Sequence, residues 1–208
     1  MTGPPTRSVR AYLGLGANLG DAPDTLAWAI GQLAATRGLR VRQVSPLYRT
    51  APWGVTDQPD FHNAVVAIEM RSSREMTSEA AALELLALLK GIEREAGRRP
   101  GRRWGPRELD LDLLLFGRAR ISVERSPSAR SIEAEADRVK ATRLLVVPHR
   151  DLGERLFVLE PLAAIAPLLV PPGWDQTVET RRRQVAAGEP AGAVRLVGTW
   201  DPAAGRWR

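Results

Sequence analysis

Residues 108–116, ELDLDLLLF, alternate between leucine and acidic side chains, and this alternation constrains the fold more than any other stretch. Successive side chains of a β-strand point to opposite faces of its sheet. One face would carry Leu109, Leu111, Leu113 and Leu115, and the other Glu108, Asp110, Asp112, Leu114 and Phe116. Because the leucine face must be buried against a second layer, we predict a core on one side of a sheet and two neighbouring aspartates on the other.

Three earlier segments are also predicted as strands, namely 11–16, 39–49 and 61–70. The second of these, LRVRQVSPLYR, alternates apolar and polar residues, which is typical of a half-buried strand. The stretch between the second and third segments, RTAPWGVTDQPD, is rich in Pro, Gly and Asp and is therefore predicted as a loop.

Two helices are predicted between these strands. The first begins at a cap on Asp21 or Asp24 and runs to about Thr36. Its apolar face carries Leu26, Ile30 and Leu33. The second covers 75–96, with Ser72 or Ser78 as its cap, Gly97 as its end, and Leu85, Leu88, Leu89 and Ile92 as its apolar stripe.

The resulting β-α-β-β-α-β order predicts an α+β protein of the ferredoxin-like class, in which helices pack on an antiparallel sheet. We assign residues 1–172 to this domain, with a polar surface insertion at about 126–142. The apolar stretch after the insertion should add a helix or two. Residues 173–208 form a C-terminal extension, either part of the same domain or partly disordered, in which 194–200 is a candidate edge strand.

The composition limits the kinds of site that the chain can build. It has no cysteine, and its only histidines are His62 and His149, so thiolate and His-rich zinc sites are not expected. No apolar run approaches the roughly 20 residues of a membrane helix, and MTGPPTRSVR lacks the apolar core of a signal peptide. We therefore expect a cytoplasmic protein without membrane contacts. The net charge of +6 indicates either an acidic partner or an arginine-rich genome composition.

The two aspartates require a compensating interaction. Alternate Cα atoms of a strand lie about 7 Å apart, and two charges about 6 Å apart repel by about 2.8 kcal/mol at an effective dielectric constant of about 20. Solvent, neighbouring arginines or a divalent cation could offset this repulsion. Two carboxylates suit Mg²⁺, which takes its remaining ligands from water and phosphates.

Arginines crowd the loop just before this strand, GRRPGRRWGPR. They are Arg98, Arg99, Arg102, Arg103 and Arg107. Guanidinium groups match phosphate oxygens bidentately. Phosphate-binding cations beside acidic metal ligands are typical of phosphoryl transfer, although a solvated basic loop would have the same composition.

At these residues the sequence resembles a known family. The segment RWGPRELDLD (103–112) resembles the signature of 6-hydroxymethyl-7,8-dihydropterin pyrophosphokinase. Similar segments follow the family's order at 13–21, 45–65, 92–98 and 147–162. The resemblance covers about residues 10–172 and implies the same fold class as the strand and helix pattern.

The resemblance implies transfer of pyrophosphate from ATP to the hydroxymethyl oxygen of a pterin, with release of AMP. Two Mg²⁺ ions would bridge Asp110, Asp112 and the phosphates. Arg98 and Arg107 match the arginines that clamp the phosphates and stabilise developing charge. The positions that match other ATP contacts are Lys90, Glu93, His149 and Arg155.

The resemblance also implies a pterin site. Phe61 and Phe157 match the rings that sandwich the heterocycle, and Asn63 matches the side chain that reads its amide edge. Thr50, Ala51 and Trp53 match loop positions that offer backbone groups, and Trp104 matches the indole near the hydroxymethyl group. The sequence departs from the family pattern at Pro100, where arginine is usual, and at Arg150, where an aromatic residue or proline is common.

Two other readings of the sequence are weaker. The glycines of LGLGANLG have the spacing G-x-G-x-x-x-G, which is not the dinucleotide fingerprint; we expect them to shape a turn that brings Asn18 towards the substrate. A basic ferredoxin-like sheet could bind nucleic acid, but Asp110 and Asp112 stand where such a sheet would need stacking aromatics. We therefore expect small-molecule partners, no nucleic acid, and a monomer.

Overall fold

The computed structural model describes residues 6–52, 56–98, 105–125 and 144–208. In chain order the elements are β1 (Thr6–Ala17), α1 (Ala22–Ala35), β2 (Leu39–Val44), β3 (Leu47–Thr50), β4 (Phe61–Ser73), α2 (Ser78–Glu95), β5 (Asp110–Phe116), β6 (Ile121–Glu124), β7 (Leu144–Val147), α3 (Leu156–Ile165), α4 (Val178–Ala186), β8 (Val194–Gly198), β9 (Trp200–Asp201) and β10 (Arg206–Trp207). None of these helices is both long enough and apolar enough to cross a bilayer, a finding that covers the described ranges.

A six-stranded antiparallel sheet organises the molecule. Its strand order is β5-β1-β4-β3-β8, and β2 pairs with a different part of β4. The two longest strands, β1 and β4, lie at its centre, and β8 is an edge strand. The α+β class and the antiparallel sheet are therefore confirmed, and so is the predicted strand within 194–200.

The predicted single strand over 39–49 is wrong, because it divides into β2 and β3. The break falls at Ser45 and Pro46, where proline offers no N–H for the ladder. Ser45 continues the contact with β4 in another way: its N–H donates to Val65 O at 2.9 Å, and its Oγ accepts from Val65 N at 2.9 Å. The shortened β3 then ends at Thr50, beside the start of β4.

The strict alternation predicted for 108–116 holds through Leu114, which packs in the core opposite to that of Leu113, and fails at Leu115. Leu13 pairs with Leu113 and Tyr12 with Leu115, so Leu114 is an extra residue in the ladder between β1 and β5. Such a β-bulge reverses the faces of the residues that follow it. Leu115 accordingly packs in a different core from Leu113, and Phe116 returns to the core of Leu113.

The helix caps explain where α1 and α2 begin. Asp21 caps α1 as predicted, accepting from Asp24 N at 3.2 Å. Thr77 caps α2, accepting from Ala80 N at 3.1 Å, so the prediction of Ser72 or Ser78 is wrong. Threonine is a good cap, and it stands where the apolar repeat of α2 begins. Gly97, at φ +85°, follows the end of α2 as predicted.

Helices cover both faces of the sheet. The predicted apolar faces of α1 and α2 pack on one face, with Leu26, Leu33, Leu85 and Leu89 fully or almost fully buried. α3 and α4 pack on the other, where Leu159, Leu162 and Val178 meet Val65 and Leu114. The helix predicted after the insertion is thus present, whereas the second helix, α4, lies in the C-terminal extension. The predicted insertion itself, 126–142, lies outside the described residues.

Candidate active site

Two cavities meet at the two aspartates. The first lies between the ends of β1, β3 and β4 and the start of α3, and is mainly apolar. The second lies between α2, β5 and the segment after β7, and is mainly polar. Asp110, Asp112 and Arg107 line both cavities. The strand alternation therefore predicted correctly that the carboxylates share one face.

Asp110 is held by two arginines. Its Oδ1 accepts from Arg98 Nη1 at 2.7 Å, and its Oδ2 accepts from Arg107 Nη1 at 3.2 Å. Burial by itself would raise the pKa of Asp110, but the cations of Arg98, Arg107 and Lys90 hold that pKa well below its usual range. Asp110 is therefore ionised at neutral pH.

A fully buried acid, Glu93, fixes two of the cations. Its Oε1 lies 2.6 Å from Lys90 Nζ and 2.8 Å from Arg98 Nη1, and accepts from Leu111 N at 2.7 Å. Burial raises the pKa of Glu93, while Lys90 and Arg98 oppose that rise. Lys90 and Arg98 line the second cavity, whereas Glu93 lines neither cavity. Its observed contacts are therefore those of a residue that positions cations.

The second cavity has a cationic wall. Its basic lining residues are Lys90, Arg98, Arg107, Arg125, His149 and Arg150. The backbone N–H of His149 donates to Leu114 O at 2.9 Å, and its Nδ1 accepts from Asp151 N at 3.3 Å, so strand β5 and its own loop orient the ring. Six basic side chains around three aspartates, Asp110, Asp112 and Asp151, give a cavity suited to a polyanion accompanied by a cation.

The first cavity has aromatic and amide groups on its walls. Phe61 from the start of β4 and Phe157 from the start of α3 both line it, together with Thr50, Ala51 and Asn63. Asn63 is buried, and its Nδ2 donates to Thr50 Oγ1 at 2.8 Å. A Cβ atom on Gly16 would lie 3.3 Å from Asn63 Oδ1, so glycine at this position gives the amide its place beside the cavity. A flat heterocycle with a polar edge fits such a lining.

Arg155 lies at the boundary between these regions. It lines the first cavity, its guanidinium lies 5.7 Å from the centre of the Phe157 ring, and it pairs with Asp151 of the second cavity. The resemblance implied an ATP contact for this residue, and the structure places it between the two cavities.

Comparisons with known proteins show which family the chain belongs to. The sequence model of the family described as 7,8-dihydro-6-hydroxymethylpterin-pyrophosphokinase (HPPK) matches residues 12–167. The chain belongs to this family. A 2-amino-4-hydroxy-6-hydroxymethyldihydropteridine pyrophosphokinase of Methylorubrum extorquens is 44% identical over 187 residues, which are 90% of this chain and 98% of that protein.

Longer proteins contain a related segment. The folic acid synthesis protein fol1 of Schizosaccharomyces pombe is 34% identical over 196 residues, and this chain spans 22% of it. Among solved structures, wild-type HPPK-DHPS of Plasmodium falciparum matches with a TM-score of 0.68 at 14% identity, over 98% of this chain and 46% of that one. At such low identity the structural match shows the fold alone.

Two residues that the HPPK resemblance assigns to the pterin site, Trp53 and Trp104, lie outside the described residues. The same holds for Pro100 and for three of the loop arginines, Arg99, Arg102 and Arg103. Their assigned places stay predictions. Arg98 and Arg107, at the two ends of that loop, are both described.

Two residues near the site were not assigned correctly from the sequence. Asn18 lines neither cavity; its Nδ2 donates to Gln58 Oε1 and Pro59 O, and its Oδ1 accepts from Arg107 N at 2.7 Å. It therefore ties together the loops that precede Phe61 and Asp110. Arg125 lines the second cavity, and its Nε donates to Leu144 O at 3.1 Å. Its position beside a polar insertion gave no sequence signal for this place.

The donor set at the junction fits Mg²⁺. Within the described ranges, no cluster of three or more His, Cys, Asp or Glu residues could form an all-protein metal cage. Two carboxylates at the opening of a cationic cavity instead suit an ion that completes its coordination with water and substrate phosphates.

Proposed function

We propose that this chain transfers a pyrophosphoryl group from ATP to the hydroxymethyl oxygen of 6-hydroxymethyl-7,8-dihydropterin, giving AMP and the pterin diphosphate in folate biosynthesis. One observation supports this most strongly: two cavities of different character share Asp110 and Asp112. A flat acceptor and a charged donor can therefore approach the same pair of carboxylates from two sides. Bringing two substrates together in this way is the main contribution that a protein makes to phosphoryl transfer.

The acceptor occupies the first cavity in this proposal. Phe61 and Phe157 stack on the two faces of the pterin, and Asn63 binds its amide edge. The hydrogen bond from Asn63 to Thr50 fixes the orientation of the side-chain amide, which leaves Oδ1 beside Gly16. Ala51, Trp53 and Trp104 complete the pterin site in the proposed assignment.

The triphosphate of ATP occupies the second cavity. Lys90, His149 and Arg155 contact the nucleotide, and Glu93 acts through the cations that it holds. Asp110 and Asp112 hold Mg²⁺, and two ions is the number that the resemblance implies. When bound there, Mg²⁺ would neutralise phosphate charge and polarise the bond that breaks.

The two clamping arginines are held to different degrees. Arg98 has 3% of its side chain exposed and is fixed between Glu93 and Asp110, so it offers a preorganised charge. Arg107 has 15% exposed and lines both cavities, so its guanidinium can contact the phosphates near the attacking hydroxyl. Charge placed in advance where negative charge develops stabilises the transition state without reorganisation.

We extend the proposal to the topology, the oligomeric state and the cellular location of the whole molecule. The strand order β5-β1-β4-β3 supports a ferredoxin-like core extended by β8. We propose a monomer that acts in the cytoplasm, with residues 1–172 and the C-terminal extension forming one domain. A nucleic-acid-binding sheet is not favoured, because Asp110 and Asp112 would repel a phosphate backbone that approached without a metal ion.

A product assay tests the proposed reaction. The protein is incubated with ATP, Mg²⁺ and the hydroxymethyl dihydropterin, and phosphorus NMR follows the products. We expect AMP and a pterin diphosphate in equal amounts, and no product when EDTA is present. Formation of ADP with a pterin monophosphate, or turnover that EDTA leaves unchanged, would contradict the proposal.

A further inference from the structure

The residues beyond the family match pack against the elements that form both walls of the first cavity. The HPPK match ends at residue 167, whereas the chain continues through α4 and the strands β8, β9 and β10. None of the residues in these four elements lines the first cavity. They contact the elements that do, on two opposite sides.

On one side, α4 holds α3. Arg182 Nη1 donates to Glu160 Oε2 at 3.1 Å, and two further bonds from Arg182 to Glu179 fix the guanidinium. Glu160 lies on α3, whose first turn carries Phe157 and Val158 of the cavity wall. Below this ion pair, Val178 is fully buried against the apolar face of α3. The orientation of α3 and its position on the sheet therefore depend on α4.

On the other side, β8 extends the sheet next to β3. Val194 pairs with Thr50, which lines the cavity, and Arg195 pairs with Arg49. Arg49 and Arg195 both reach Asp60 Oδ2, at 3.2 and 3.5 Å, and Asp60 directly precedes Phe61. The extension therefore braces the ends of β3 and β4 that carry the polar and aromatic side of the cavity.

The C-terminal hairpin adds a second contact on this side. Trp207 Nε1 donates to Ser45 O at 2.9 Å, and the Trp207 ring packs edge-on against Trp200 with their centres 4.7 Å apart. Ser45 Oγ in turn accepts from Val65 N, and Val65 lines the cavity. The bond thus supports the sheet at the break between β2 and β3.

Tyr48 of β3 lies near the ion pair that joins α3 and α4. Its side chain is largely buried, and burial raises the pKa of its hydroxyl, with a further rise from Glu160 and an opposing effect from Arg182. The ion pair between α3 and α4 is therefore close enough to β3 to act on Tyr48 electrostatically.

We propose that residues 178–208 are a positioning element that sets the separation of the Phe157 wall from the Thr50 and Phe61 wall, and so determines how tightly the pterin is held. This inference rests on the proposed function, since it assigns the first cavity to the pterin. A stacked heterocycle loses contact on both faces when its walls separate, and a misplacement of about 1 Å can cost about 100-fold in rate. The cationic lining of the second cavity lies on α2 and on the segments that flank α2, β5, β6 and β7.

Arg182→Ala tests the α3 side, and Arg183→Ala is its matched control. Arg183 is the next residue on α4 and, among the described residues, forms an ion pair with Glu179 alone, with 73% of its side chain exposed. We expect Arg182→Ala to raise the pterin Kd and KM about five- to tenfold while the ATP KM changes by less than about twofold. Arg183→Ala should leave all three constants within about twofold of wild type.

Two further variants keep the test decisive if Arg182→Ala is poorly folded. Trp207→Phe removes the N–H that bonds to Ser45 but keeps an aromatic ring, and Trp200→Phe is its control within the same hairpin. Trp207→Phe should raise the pterin Kd about threefold without the same change for ATP. Glu160→Ala should reproduce Arg182→Ala, and the double variant should be no worse than either single one.

A purely stabilising extension would give a different result. In that case the variants would lower the unfolding midpoint but leave both KM values unchanged well below that midpoint, which would overturn the inference. Equal losses for pterin and ATP would also overturn it. A wild-type protein without pyrophosphoryl transfer would contradict the proposed function, whereas active variants with an unchanged pterin Kd would contradict the positioning role alone.

Discussion

Asp110 and Asp112 share a strand face but differ in their surroundings. Arg98 and Arg107 hold both oxygens of Asp110 and keep its pKa low. Asp112 lines both cavities and makes no ion pair with any other residue in the part of the chain that the structure describes. Arg98 and Arg107 already offset the charge of Asp110, so the repulsion between the two aspartates is partly compensated in the protein without a metal ion. We therefore predict that removing the charge of Asp112 lowers activity strongly and leaves stability unchanged or slightly higher.

Replacing Asp112 with Asn should reduce kcat at least about 100-fold, because one Mg²⁺ ligand is lost and the ion supplies several kcal/mol of transition-state stabilisation. The unfolding free energy should stay equal to that of wild type or rise slightly, because the repulsion with Asp110 is relieved. Steady-state kinetics and urea unfolding measure the two effects.

Glu108→Gln is the matched control for this change, since Glu108 is a nearby carboxylate that lines neither cavity. It should keep kcat within about threefold of wild type. An Asp112→Asn protein that is active but less stable would show that Asp112 has a structural role and no metal.

At the scale of elements, the end of β1 holds the two loops that lead into the residues of the two cavities. β1 ends at Ala17, and Asn18 then contacts two loops at once. Hydrogen bonds run in both directions between Asn18 and Arg107, because Asn18 N donates to Arg107 O at 3.0 Å and Arg107 N donates to the side-chain Oδ1 of Asn18. A single buried side chain thus couples the approach to Phe61 with the approach to Asp110.

Asn18→Ala should impair catalysis more than it impairs the fold. Loss of a buried group with three hydrogen bonds costs about 1–3 kcal/mol, and the displaced loops should lower kcat/KM about 10- to 100-fold. Kinetics with both substrates and thermal unfolding separate the two effects.

Thr36→Ala is a suitable comparison, because it removes a hydrogen bond of 2.8 Å to Gln32 O at the opposite end of α1. It should leave kcat/KM unchanged. If Asn18→Ala loses stability yet keeps normal kinetics for both substrates, the coupling of the loops is not needed for catalysis.

At the scale of the whole molecule, the sheet has a core on each face, and the second core depends on α4. Glu179 holds Arg182 and Arg183 at the surface of this core. The hydrogen bond from Arg182 is the main cause that lowers the pKa of Glu179 to about 2. The docking of α4 should therefore respond to acid.

Glu179→Gln tests that response. The folded-state pKa of Glu179 lies below its ordinary value of 4.5, so the unfolded chain takes up this proton first as the pH falls. The stability from this carboxylate is present above about pH 4.5 and is lost towards about pH 2. Urea unfolding of wild type and variant should differ at pH 7 and converge near pH 2; a constant difference across this range would contradict the role of the charge.

The sequence alone predicted the structural features that depend on local residue patterns. The alternation of leucine and aspartate placed Asp110 and Asp112 on one face, and Asp21 and Gly97 marked helix ends correctly. The bulge at Leu114 left no trace, because residues 113–116 are apolar and either face of the sheet accepts them.

Contacts between segments that are distant in the chain could not be predicted from the sequence. The burial of Glu93 between Lys90 and Arg98 requires α2 to pack on β5, and the charges alone are equally compatible with a solvated face. The support of the first cavity by Arg182 and Trp207 joins segments more than 20 residues apart, over 22 and 162 positions respectively.

The measurement that tests the central claim most directly is a crystal structure with Mg²⁺, an unreactive ATP analogue and the hydroxymethyl dihydropterin. We predict metal density between the triphosphate and the oxygens of Asp110 and Asp112, with the pterin between Phe61 and Phe157. Phosphates bound elsewhere, with both aspartates facing solvent and no metal beside them, would contradict the account.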